Sequence, residues 1–349
     1  MAALLDNALG LDAWCLRVVQ QKLHKAQGGD RFPCRRKIRD SEGIQMASMM
    51  TRRRFLASAA LASAGAAAYP MFAAKVKKRK VQVGHTGITW RNDQVEAAVT
   101  GIASLGFYGF ETFGDNLIQW ESKGGMLPLL EKNKLPLISG YCTINLTDAT
   151  KRDDELAKAD KYCDAIKKNN GRIYVVGPNS VRRNTYDFAA SKANIIETLN
   201  ELAKRVEGHG LTPVLHQHTG TCIESRDETY AVLEAVDTRH LKFGPDVGQL
   251  TKGGQDAVKV VKDFLPIVQH MHLKDYAGTD DALLGYCPLG QGKVNVPAIL
   301  DMMEGRKISG MVMGELDNNW GKMSPTPPEE LVKESRDYLQ TIGVQFRRV

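Results

Sequence analysis

Apolar positions beyond residue 80 change period repeatedly along the chain. Val81 and Val83 alternate with Gln82 and Gly84, and then Val95, Ala98, Val99, Ile102 and Leu105 recur at three- and four-residue steps until Gly106. A period of two places alternate side chains on one face of a strand, and a period near 3.6 places them on one face of a helix. The same switch recurs seven more times. The predicted strands cover 81–84, 107–112, 135–141, 172–177, 213–218, 241–246, 267–275 and 311–317. The predicted helices cover 93–105, 127–133, 153–168, 187–207, 227–236, 256–264, 296–304 and 328–341. Strict alternation calls for parallel strands joined by crossover helices. Eight such units in about 260 residues match a closed (β/α)8 TIM barrel in number and length. An open doubly wound sheet would carry a glycine-rich phosphate turn after its first strand, and Gly84-His85-Thr86-Gly87 is not that turn.

Polar groups interrupt this pattern at the predicted strand ends. In His270-Met271-His272-Leu273-Lys274-Asp275, the side chains of His270, His272 and Lys274 share one face. His216 and His218 end strand 5, Asp246 ends strand 6 and Glu315 ends strand 8, while Glu111 ends strand 2. A barrel enzyme keeps its catalytic groups at the C-terminal strand ends. Adjacent strands lie about 4.8 Å apart, so side chains from strands 5 to 8 can meet at one point. Imidazole and carboxylate together suit Mn²⁺, Co²⁺, Zn²⁺ or Fe²⁺, and Mg²⁺ less well. The residues by themselves leave both His216 and His218 as the strand-5 ligand. Trp90 and Phe113 are placed to form an apolar wall beside these groups, and the segment from Cys287 to Gly292 to cover the site.

Charge is unevenly placed. The net charge is +7, but residues 1–80 hold 16 Lys/Arg against 5 Asp/Glu, which leaves the rest of the chain at −4. The barrel therefore lacks the basic surface that nucleic-acid binding requires. The six cysteines form no CxxC pair, which argues against a thiolate zinc site or a redox dithiol.

Thr51-Arg52-Arg53-Arg54-Phe55-Leu56 leads into a small, moderately apolar run from Ala57 to Ala68. This order resembles a twin-arginine export signal, and the run is too short and alanine-rich for a stable membrane anchor. The expected organisation is an N-terminal extension over 1–50 that is not native or not folded, a signal over 51–74, and one catalytic barrel over 75–349. The twin-arginine machinery would be a partner, and the location periplasmic.

The motifs GFYGFET (106–112), VLHQHTGT (214–221), PDVGQL (245–250), HMHLKDY (270–276), PLGQGKV (288–294) and GELD (314–317) resemble, in order and spacing, the xylose-isomerase-like family of sugar isomerases, epimerases and dehydratases. The resemblance implies one divalent metal held by one residue from each of strands 5 to 8. Asp246, His272 and Glu315 match three of those positions. His216 stands by alignment where many epimerases carry a strand-5 glutamate, with His218 on the same face. The His-x-His-x-Gly-Thr form resembles inosose dehydratase in particular. Gln249 stands where relatives commonly carry a substrate-binding histidine. The implied roles are Glu315, Lys274 and His218 in catalysis, Glu111, His85 and Gln249 in substrate binding, and His216, Asp246, His272 and Glu315 on the metal.

The expected activity is that of a metal-dependent isomerase or epimerase removing a proton next to a carbonyl of a keto-sugar, polyol or glycoside. The alternative is a lyase that removes water or an alcohol from a keto-cyclitol or 3-keto-glycoside. Family resemblance also implies a possible homo-oligomer. A related endonuclease family would need more ligands and a basic groove. A periplasmic sugar-binding barrel without catalysis would not need Asp246, His272 and Glu315.

Overall fold

The computed structural model of the chain describes residues 77–278 and 283–349. The expected extension over 1–50 and the export signal over 51–74 lie outside the described residues.

The strands are β1 (Val83–Thr86), β2 (Phe110–Phe113), β3 (Leu137–Ile144), β4 (Ile173–Pro178), β5 (Thr212–Leu215), β6 (Lys242–Phe243), β7 (Met271–Leu273), the short pair β8 (Asp275–Tyr276) and β9 (Tyr286–Cys287), and β10 (Val312–Gly314). The helices are α1 (Val95–Ser104), α2 (Gly114–Glu121), α3 (Leu127–Lys132), α4 (Arg152–Lys168), α5 (Phe188–Gly208), α6 (Arg226–Leu233), α7 (Val247–Lys252), α8 (Ala257–Asp263), α9 (Val296–Met303) and α10 (Pro328–Thr341). Eight strands lie parallel in the order β6-β5-β4-β3-β2-β1-β10-β7. Parallel bridges from Phe243 to Val268 and from Asp246 to His272 bring β6 against β7. The amide of His272 donates to Pro245 O at 2.9 Å across this seam. The chain is thus a (β/α)8 TIM barrel, as its apolar periodicity predicts. Among the described residues, no helix is long and apolar enough to cross a membrane.

Local chemistry explains the crossover helices. Asp187, Asp256 and Asn295 accept amide hydrogen bonds at the starts of α5, α8 and α9, and Ser225 forms a capping box with Glu228 at α6. Each cap satisfies an amide that the helix itself cannot. Two predicted strands are shorter than expected. β6 spans two residues because Pro245 has no N–H to continue the ladder. The apolar run before β7 begins instead as a 3-10 turn over Leu265–Ile267, with Pro266 within it. Helix α2 was not predicted.

Two apolar layers sandwich the strands. Outward-facing residues join the helices in the main core. Inside the barrel, Ile138, Ile173, Val175, Val214, Met311 and Met313 pack into a separate apolar floor.

Candidate active site

The polar cluster stands directly above that floor. On β5, Val214 belongs to the floor and His216, one pleat on, lines the cavity above it; on β10 the same relation holds for Met313 and Glu315. The cavity, about 120 Å³ and open to solvent, is walled by Thr86, Ile88, Phe113, Tyr141, His216 and Glu315 among others.

Lys274 is the centre of the cluster. It is fully buried, and its Nζ lies 3.0 Å from Asp246 Oδ2, 2.7 Å from Glu315 Oε1 and 2.9 Å from Asp317 Oδ2. Burial works to lower its pKa, but the carboxylates of Asp246, Asp317 and Glu315 hold it well above the usual lysine range. The Tyr286 ring covers the ammonium at 4.7 Å. Lys274 reaches this position over α7, where a Cβ on Gly248 would lie 2.7 Å from the lysine stem. So placed, Lys274 does not line the cavity and firmly holds its proton. Its part is to neutralise carboxylates.

Asp246 divides its two oxygens. Oδ1 accepts the amides of Gly248 and Gln249 at 2.8 and 2.9 Å and caps α7, while Oδ2 faces Lys274 and His216. Burial raises its pKa, opposed by the Lys274 ammonium.

The two strand-5 histidines differ in their partners. His218 uses both ring nitrogens: Nδ1 donates to Thr219 O at 2.7 Å, and Nε2 accepts from Gln249 Nε2 at 2.8 Å. Gln249 also accepts from the Thr219 hydroxyl at 2.6 Å. His216 is buried with neither ring nitrogen hydrogen-bonded, and its Nε2 stands 4.0 Å from Asp246 Oδ2. Burial holds His216 well below the usual histidine pKa, with His272 and His218 adding to the effect, so it presents a neutral ring.

His272 lies between two carboxylates, Nε2 at 2.8 Å from Glu111 Oε1 and Nδ1 at 3.0 Å from Glu315 Oε2. Neither approach is aligned as a hydrogen bond. Burial works to lower its pKa, and Glu111 and Glu315 raise it well above the usual value. Glu315 itself is held well below the carboxylate range: burial opposes this, and His272 and Lys274 outweigh burial.

These residues fit a divalent cation. His216, Asp246 and His272 offer ligand atoms within 4.8 Å of one another. Three buried carboxylates, on Asp246, Glu315 and Asp317, face the single ammonium of Lys274, and a fourth, on Glu111, faces His270 and His272. An excess of buried negative charge is costly unless a further cation balances it. Unpaired ring nitrogens on His216 and His272 supply the donors such an ion takes.

Several expected residues fall elsewhere. Gly84 and Thr86 face the barrel interior, so His85 points the other way, into the layer between strands and helices. Its ring stands edge-on to Phe107 at 5.1 Å, and burial lowers its pKa to about 4. This corrects its expected contact with substrate. Trp90 is likewise core, packed under α1 at Gly101, whereas Phe113 does line the cavity beside Trp320. Glu111 lines the cavity but turns its oxygens on Ser139, His270 and His272. The segment expected to cover the site is tied to β8, where Asp275 accepts the amides of Gly290, Gly292 and Val294 at 2.9–3.0 Å, and covers Lys274 through Tyr286.

Sequence reasoning passed over Asp317 and Tyr141. Asp317 lies two residues beyond Glu315, and period two alone would have placed it on the same face. Tyr141 stacks edge-on to His216 at 5.3 Å, and burial pushes its hydroxyl pKa upward, so it stays protonated.

A family model described as Xylose isomerase-like TIM barrel matches residues 99–342. An inosose dehydratase of Mesomycoplasma hyopneumoniae (strain 7448) is 24% identical over 301 residues, covering 76% of this chain and 97% of that protein. Among solved structures, 3-keto-D-glucoside 4-epimerase YcjR from E. coli is similar, with a TM-score of 0.59 and 16% identity over 75% of this chain and all of that one. The IOLI protein with a bound zinc atom gives a TM-score of 0.60 at 14% identity, covering 75% of this chain and 98% of that one.

Proposed function

This chain belongs to the xylose isomerase-like TIM barrel family, and we propose that it is a metal-dependent enzyme removing a proton next to the carbonyl of a keto-sugar, keto-cyclitol or related glycoside. The chain is an enzyme, an isomerase or epimerase or a lyase. The observation that carries the metal is the set of buried carboxylates facing one ammonium beside unpaired imidazoles. His216, Asp246 through Oδ2, His272 and Glu315 would hold the ion. His216 is the strand-5 ligand, because His218 already spends both nitrogens on Thr219 and Gln249. When bound, a divalent ion supplies Lewis acidity to a substrate carbonyl.

The chain's own groups perform the proton chemistry. Glu315, ionised by its neighbours and lining the cavity, takes the proton from carbon. Lys274 sets its ammonium against the carboxylates of Asp246, Glu315 and Asp317 in a buried setting. Tyr141 and His218 stand at the cavity as neutral hydrogen-bonding groups. Ile88, Phe113 and Tyr141 form an apolar wall for one face of the ring. Of the two carboxylates that line the cavity, Glu111 is turned to Ser139, His270 and His272, which leaves Glu315 as the one base. A single base favours elimination of water or isomerisation over the two-base inversion of an epimerase. The similarity to inosose dehydratase supports the elimination. Among the described residues no Lys or Arg lines the cavity, which favours an uncharged substrate over a sugar phosphate.

We further propose export through the signal at 51–74 and a periplasmic location, supported by Arg52 and Arg53 ahead of the small apolar run.

The test is metal analysis of residues 75–349 beside an Asp246→Ala/His272→Ala double variant, followed by keto-cyclitols and keto-sugars as substrates. About one transition-metal ion per chain, lost in the double variant together with at least a hundredfold of the activity, is expected, since even the groups that orient metal ligands are worth 10–100-fold. A wild type that stays metal-free after each ion is supplied would sink the mechanism.

A further inference from the structure

We propose that Trp320 and Phe113 form a subsite for a second sugar ring at the mouth of the cavity, so that the substrate is a keto-glycoside rather than a free keto-sugar or keto-cyclitol. The inference deepens the functional reading above and rests on it.

A row of aromatic rings leads outward from His216. Tyr141 stands edge-on to His216 at 5.3 Å, Phe113 edge-on to Tyr141 at 5.7 Å, and Trp320 edge-on to Phe113 at 6.1 Å. Tyr141 and Phe113 line the cavity. Trp320 follows them, and its indole N–H donates to the carbonyl of Ile88, another lining residue, at 3.3 Å. Trp320 thus touches two walls of the cavity at its rim.

The core does not account for these side chains. Ile88, Phe113 and Trp320 are all half-buried. Among the described residues, Trp90 belongs to the main core and Trp120 packs against it, whereas Ile88, Phe113 and Trp320 join none of the apolar clusters. Trp320 is nevertheless held in place. The Thr89 hydroxyl donates to Leu316 O at 2.8 Å, and the Asn318 side-chain amide donates to Thr89 O at 3.3 Å. These bonds stitch the segment that carries Trp320 to the segment that carries Ile88, and both Thr89 and Asn318 are buried. A large apolar ring that is fixed, half-wet and continuous with a cavity suits ligand binding better than core filling.

Size decides what the ring receives. A cavity of about 120 Å³ that opens to solvent has room for one sugar ring and not for two. Trp320 lies two ring-to-ring steps beyond Tyr141, past the reach of a sugar ring seated against His216 and Glu315. What reaches it is a group joined to that ring. The C–H face of a second pyranose matches an apolar indole, while the hydroxyls around its edge stay in water.

Rates on methyl 3-keto-glucoside and on a 3-keto-disaccharide of glucose, for the wild type, Trp320→Ala and Trp320→Phe, test the inference. The wild type is expected to favour the disaccharide in kcat/KM by about tenfold, the worth of one half-buried aromatic contact. Trp320→Ala should lose that preference and Trp320→Phe keep most of it. A wild type that turns over both equally, or a folded Trp320→Ala that keeps the preference, overturns the inference and leaves the proton chemistry standing. Saturation-transfer NMR needs no turnover. With the aromatic protons irradiated, signal should pass to the second ring of the disaccharide in the wild type and be lost in Trp320→Ala. A wild type that neither turns over nor contacts the disaccharide in this way overturns the inference, while metal analysis judges the site separately. A Trp320→Ala variant changed only in its sedimentation assigns the ring to a second copy of the chain and overturns the inference too.

Discussion

Two layers inside one barrel are built on the same strands and the same alternation, one pleat apart. In the lower layer Val214 and Met313 join Ile138, Ile173, Val175 and Met311. In the upper layer His216 and Glu315, two residues further along the same strands, join Asp246, His272 and Lys274. All of these side chains are buried. The lower layer gains stability from excluding water around apolar groups. The upper layer keeps water away from charges, which raises the strength of every interaction among them and also the cost of leaving one unmatched. Height in the barrel, rather than burial, therefore separates the floor from the chemistry.

The largest effect expected from breaking this contrast is at Lys274. Lys274→Met brings a lower-layer side chain into the upper layer and leaves Asp246, Glu315 and Asp317 facing one another. A loss of about 3–5 kcal/mol in urea unfolding is expected, as for other buried charges stripped of a partner. Added divalent cation should recover part of it. A variant as stable as wild type without added metal would contradict the central place given to this ammonium.

Met313→Ala tests the lower layer by itself. Truncation of a buried methionine is expected to cost about 2–5 kcal/mol, depending on how far the floor collapses. Metal affinity should remain within about threefold of wild type, because Met313 packs in the apolar floor and supplies no proposed ligand atom. A metal site lost along with the floor would show that the two layers are not separable.

The smallest effect concerns His85, which sharpens the contrast between two buried histidines. Carboxylates raise His272, whereas His85 packs against Phe107 and burial lowers it from 6.5 to about 4. The unfolded imidazole thus takes a proton at a higher pH than the folded one. The stability His85 contributes is fully present above pH 6.5 and is lost as pH falls toward 4. Between pH 7 and pH 5 this amounts to about 2 kcal/mol. His85→Leu should flatten that part of the pH dependence of the urea midpoint, and an unchanged slope would refute the assignment.

Much of this was legible before any coordinates. Short-range periodicity depends on neighbours two to four residues apart, so the eight strand and helix units could be read from apolar spacing. The strand-end positions of His216, Asp246, His272 and Glu315 followed from the same periods. The errors share one cause. His85 was placed by its position at a strand end without counting its phase against Gly84 and Thr86, and the seventh strand was begun at Ile267, inside the 3-10 turn that holds Pro266.

The sequence by itself determined the barrel, its inward faces and the residue types gathered at one rim, because these depend on local periods and on chain connectivity. Only the tertiary structure separates His216 from His218, since Thr219 and Gln249 occupy both ring nitrogens of His218 and leave those of His216 without a hydrogen bond. Closing the barrel also placed Lys274 among carboxylates from β6 and β10, and set Glu111 against His270, 159 residues away. Such contacts are fixed by register and angle to within an ångström, and no local pattern carries that distance.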